Sequence, residues 1–144
     1  MQRPDSSPPS DFREYFLEGL DRFNAHHFWD AHESWETLWL AAQSETKQFL
    51  QGLIQLAAAY HHIQRGTLHG APRLFDAALR RLAAFPAGFS GVDRGPAEEA
   101  ARGHRDWVAS LVKRGVTETL SDDSYPGIAL LVSRESFSPP RQDW

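Results

Sequence analysis

Residues 28–62, FWDAHESWETLWLAAQSETKQFLQGLIQLAAAYHH, decide the fold. Two apolar segments with helical spacing flank a short polar turn, which is the pattern of an antiparallel helical hairpin. In the first segment, expected over Phe28 to Ala42, Phe28, Trp35, Trp39 and Ala42 fall on one face with Ala31 and Leu38 beside them. In the second, Ser44 is placed to cap a helix with Glu45 in its first turn, and Phe49, Leu53, Leu56, Tyr60 and Ile63 form an apolar face. Leu50, Ile54, Ala57 and Ala58 make most of its other sides apolar too, so this helix belongs at the centre of a bundle.

The polar residues of the hairpin form a pattern of their own. With Phe28 as zero, His32 projects at about 40° and Glu36 at about 80°, on the flank of the apolar face, while Glu33 sits nearer the polar boundary at about 140°. A histidine and a carboxylate four residues apart can touch along a helix, and once partly buried they need hydrogen-bond partners. Gln48, Gln51, Gln55 and His62 share a polar stripe on the second helix. In a tight hairpin, His32 comes level with Gln55, Glu36 with Gln51 and Trp35 with Gly52, whose missing side chain would admit the indole or a close helix approach.

Outward from the hairpin, Ser10 can cap a first helix that holds Asp11 and Glu14 in its first turn and repeats Phe12, Phe16, Leu20 and Phe23. Gly66 is a C-terminal cap, and Gly70-Ala71-Pro72 restarts a fourth helix carried to about Phe85 by Leu74, Ala78 and Leu82. Pro86 to Pro96 reads as a loop, and Pro96, Glu98 and Glu99 open a fifth helix that ends by Gly115. Ser121 to Gly127 is a turn and Ile128 to Val132 a short apolar segment lying against the bundle. The expectation is one all-α domain over residues 10–132, a compact bundle of about five helices, with residues 1–9 and 133–144 as flexible tails.

Composition narrows the function classes. The chain has 144 residues, enough for one domain with its own core, and 24% charged residues with a net charge of −4, which gives no general attraction for nucleic acid or anionic lipid. It contains no cysteine, which excludes disulfides, thiolate metal sites and a cysteine nucleophile. No apolar run reaches the length of about 18 residues of a membrane span, and MQRPDSSPPS holds no signal-peptide core, so the expected location is cytoplasmic. Trp29 and Leu40, at the edge of one helix face, and Leu50 and Ile54, on the second face of the next helix, predict an apolar patch that a homodimer would cover.

The residues also carry a resemblance. Asn24 and Phe28, then Ala31-His32-Glu33, Glu36 and Trp39, then Phe49-Leu50-Gln51-Gly52-Leu53-Ile54-Gln55 with Ala57, His62 and Gly70-Ala71, resemble a small all-helical bacterial and archaeal family known as a domain of unknown function, whose pattern is an H-E-x-x-E-x-x-W helix followed by a Q-G-L-I-Q helix. The resemblance covers roughly Asp11 to Phe85 and implies a compact helical fold with a shared polar cluster, but no activity.

The cluster is therefore His32, Glu33, Glu36, Gln51, Gln55 and His62. The first reading is an interaction or structural module in which these residues form a buried hydrogen-bonded network and no cofactor is expected. The alternative is a metal-dependent hydrolase or small-ligand binder, in which His32, Glu36 and His62 would suit zinc or another divalent metal and Glu33 or Glu36 could hold a ligand or act as a general base. The segment departs from the zinc-protease pattern, because glutamate replaces the second histidine.

Overall fold

The computed structural model describes residues 12–138. The expected Ser10 cap, Asp11, the 1–9 arm and the 139–144 part of the tail lie outside the described residues. Among the described residues the fold is all-α, with five helices and a two-stranded sheet of two residues per strand.

Helix α1 (Phe12–Asn24) buries Phe12, Phe16, Leu20 and Phe23 at the spacing seen in the sequence. A turn at Ala25-His26-His27, with His26 at φ 66°, leads into α2 (Phe28–Ala41). Helix α3 (Ser44–Arg65) runs back as the other arm of the hairpin, and Gln64 Nε2 donates to the His26 carbonyl at 2.8 Å. Ser44 does not cap α3: it is the first helical residue, at φ 52°, and Gln43 occupies the cap position without a side-chain bond. Gly66 ends α3 in the left-handed conformation, with its N–H and that of Thr67 bonded back to Ile63 and His62.

Helix α4 (Ala71–Leu82), with Pro72 in its first turn, lies on α3, and α5 (Gly95–Arg114) lies on α4. Helix α4 stops at Leu82, short of Phe85, because the chain tightens into turns through Ala84 and Phe85. The buried guanidinium of Arg94 then takes over, donating to the Leu82 and Phe85 carbonyls at 3.1 Å each and pairing with Glu98 at 2.9 Å. The Pro86–Pro96 loop also holds strand β1 (Val92–Asp93), which pairs antiparallel with β2 (Ala129–Leu130), Val92 opposite Leu130.

Two close approaches set the helix packing. A Cβ built on Gly52 would meet Leu82 Cγ at 2.9 Å and Arg81 Cβ at 3.4 Å, so Gly52 admits α4. It does not face Trp35 as the level pairing suggested. Trp35 instead lies over Gly19 of α1, and its Nε1–H donates to the Phe16 carbonyl at 3.3 Å. Leu50 and Ile54 are buried, which removes half of the expected apolar patch, while Trp29 and Leu40 remain exposed.

The last described segment returns to α1. Asn24 grips it with two bonds, accepting from the Ile128 N–H at 2.7 Å and donating to the Ile128 carbonyl at 2.9 Å. Residues 133–138 do not behave as a tail: Phe137 is buried and stacks on Phe16 at 5.3 Å, and Arg134 pairs with Asp21 through bonds of 2.9 and 3.0 Å. The physical reason is an aromatic side chain with a matching buried face on α1. No helix among the described residues is long and apolar enough to cross a membrane.

Candidate functional site

The site grows from one turn of α2. His32 and Glu36 are four residues apart, and His32 Nε2 lies 3.3 Å from Glu36 Oε2. The imidazole is largely buried, with 17% of its side chain exposed, whereas the carboxylate is 49% exposed, so the pair sits at the bundle surface rather than inside it. One turn earlier on the same helix, Trp29 stacks on His32 with ring centres 4.5 Å apart and planes 14° apart. His61 of α3 approaches the same indole at 5.1 Å. Burial holds the His61 imidazole below its ordinary range, helped by the nearby positive charges of Arg65, His62 and His32.

Of the six residues expected to cluster, the structure joins His32 to Glu36 and separates others. Glu33 projects into solvent, and no hydrogen bond among the described residues joins Gln51 or Gln55 to His32 or Glu36. Gln55 Oε1 and His32 Nδ1 are both buried and have no hydrogen-bond partner among the described residues. His62 turns away and its Nδ1 bonds Thr67 Oγ1 at 2.8 Å, because the Gly66 cap folds Thr67 back over the last turn of α3. Helix α3 meets α2 along a different edge, marked by Lys47 over the Trp39 ring at 4.2 Å and His61 against Trp29. His62, one residue on, points about 100° away from that edge.

The proposed metal set of His32, Glu36 and His62 is therefore not assembled. Among the described residues no group of three or more histidines, aspartates or glutamates is arranged to hold a metal ion. Sequence reasoning missed Trp29 and His61 as members of the site. The three-residue spacing of Trp29 and His32 was a legible signal, since such residues neighbour each other on a helix.

The outer face of α2 continues from this site. Trp29, Glu33, Glu36 and Leu40 fall within about 60° of one another around the helix. Trp29 is 48% exposed and Leu40 70% exposed, and the helix carries Asp30, Glu33 and Glu36 with no lysine or arginine. No curated protein and no solved structure matches the chain. Residues 16–74, which run from α1 into α4 and contain all six candidate residues, match the family model described as Domain of unknown function (DUF309).

Proposed function

We propose that this chain is an interaction module that docks a basic, amphipathic segment of a partner protein on the outer face of α2. The observation that carries the reading is the exposed stripe of Trp29 and Leu40, two large apolar side chains on one line with the carboxylates of Glu33 and Glu36 between them. Apolar anchors bordered by acids are complementary to a helix that presents leucine-like side chains flanked by lysine or arginine. The stacking of Trp29 on His32, and its contact with His61, hold one anchor in place. The half-exposed Glu36 carboxylate beside His32 supports a surface role over a register-fixing core role.

A second copy of the chain would cover the same stripe less well. An antiparallel twofold pairing that sets Trp29 against Leu40 of a second copy also sets Glu33 against Glu36 of that copy, and like charges in contact oppose association. A cytoplasmic setting belongs to the same reading, supported by a sequence without cysteine.

The test is fluorescence anisotropy with two labelled helical peptides that share a leucine face, one flanked by lysine and one by glutamate. The lysine peptide should bind, more weakly as salt rises, and Leu40→Ser should cost at least about tenfold in Kd. Charge reversal by Glu33→Lys with Glu36→Lys should shift preference to the glutamate peptide. Equal binding of both peptides, or binding of neither, would overturn the reading. A dimer seen by light scattering and lost in Leu40→Ser would reassign the stripe to a second copy.

A further inference from the structure

A groove of about 780 Å³ lies where the start of α3 meets the end of α4. Lys47, Arg80 and Arg81 line it, in a chain whose net charge is −4. Its position follows from Gly52, which lets α4 approach α3 closely enough for the Arg81 side chain to lie against α3. Neither Arg80 nor Arg81 forms an ion pair or hydrogen bond through its side chain among the described residues, and Arg81 Nε is buried without a partner. An unpaired buried guanidinium nitrogen is costly unless something accepts from it.

Two further features favour negative charge in this groove. Helix α3 is 22 residues long and no side chain caps its start, so the positive end of its dipole opens beside Lys47. At the end of α4, where carbonyls would repel an anion, Leu82 accepts from Arg94, as does Phe85 just beyond, and Leu79 and Arg81 accept from the Ala83 and Ala84 N–H groups. Glu45 is the opposing charge, and three cations against one carboxylate leave a surplus of two positive charges. That surplus matches the charge of about −2 on a phosphate monoester near neutral pH. The rest of the lining includes Ala84 and Phe85, and Phe85 is held edge-on to Phe49 at 5.2 Å, giving an apolar surface beside the cations.

We infer that this groove binds a small organic phosphate monoester, its phosphate held by Arg81 and Arg80, with the Lys47 ammonium, which lies over Trp39, adding positive potential at the rim, and its organic part lying on Phe85. Arginine forks bond phosphate oxygens in pairs, and lysine adds a point charge. The site uses no residue of the α2 stripe, so it stands or fails independently of the docking reading.

Phenyl phosphate is the probe, with phenol, benzoate and sulfate at matched ionic strength as controls, read by amide and arginine Nε–H chemical shifts of the full chain. Phenyl phosphate should give saturable shifts at Ser44 to Lys47 and at Arg81. Arg80→Ser combined with Lys47→Ser should weaken binding at least about tenfold, and Arg80→Ser alone, at an exposed position, should weaken it while leaving the melting temperature without probe nearly unchanged. Arg81→Lys, which keeps the charge but loses the fork, should weaken it too. No saturable shift, equal shifts with sulfate or benzoate, or undiminished binding in the double variant would overturn the assignment.

Discussion

The indole of Trp35 lies directly on Gly19: a Cβ built on that glycine would press into the ring's van der Waals surface, 2.5 Å from Cδ1 and 2.6 Å from Cε2. Gly19→Ala therefore forces either the tryptophan or the helix to move. Overpacking of this kind should cost about 3 kcal/mol, read by urea denaturation. An alanine variant as stable as the parent would show that α1 and α2 can separate without loss.

Asn24 acts as a short substitute for a strand, offering one donor and one acceptor to Ile128. Asn24→Ala should cost about 1 to 3 kcal/mol, because it leaves both backbone groups of Ile128 unpaired in a partly buried place. Hydrogen exchange should rise at Ile128 before it rises in α3. A uniform rise across the chain would mean that this clamp belongs to the global unfolding unit.

Acid should destabilise the protein through His104. Its Nδ1 lies 2.7 Å from the Tyr60 hydroxyl, which burial keeps protonated, and burial holds the imidazole below its ordinary value of 6.5. The unfolded chain takes up that proton first as pH falls, so the contribution is intact above about pH 6.5 and is lost progressively below it. His61 is lowered for the same first reason and adds in the same window. Denaturation at about pH 7.5 and about pH 5 should show this loss, and His104→Gln, whose oxygen can still accept from Tyr60, should flatten it.

Glu36→Ala should change stability by less than about 1 kcal/mol, since half of the carboxylate is exposed and its only partner among the described residues is a histidine. A fully buried network would have made that loss larger. Zinc titration of tag-free protein should give the same result for the parent and for His62→Ala, because His62 is bonded to Thr67 away from His32. A loss of zinc binding specific to His62→Ala would restore the metal reading.

The helices were legible because their apolar residues recur at three and four positions, and the turns because Gly66, Pro72, Pro96 and Gly115 stand where helices end or begin. Strands β1 and β2 were not, since two residues are too few to show alternation. Helical spacing also identified His32 with Glu36, a contact within one element. At Gly52 it allowed either the Trp35 indole or a close helix approach, and the approach, by α4, is the one made; it did not show the bond of His62 to Thr67, because a helical wheel says which residues share a face but not which neighbour that face meets. That choice rests on tertiary packing, here the insertion of Trp35 over Gly19 and of Leu82 over Gly52. Phe137 was hidden for a related reason: a single aromatic among polar residues gives no periodic signal, however well it fits a distant surface.

The return of Phe137 to Phe16 governs how the chain can be assembled in time. Arg13 donates to the Arg134 carbonyl across 121 residues, beside that same aromatic stack. During synthesis the aromatic face of α1 emerges early, and its cover arrives only after all five helices have been made. Until then Phe16 offers an adhesive surface that a chaperone or a neighbouring nascent chain could occupy, so the closing segment acts as the final latch against aggregation.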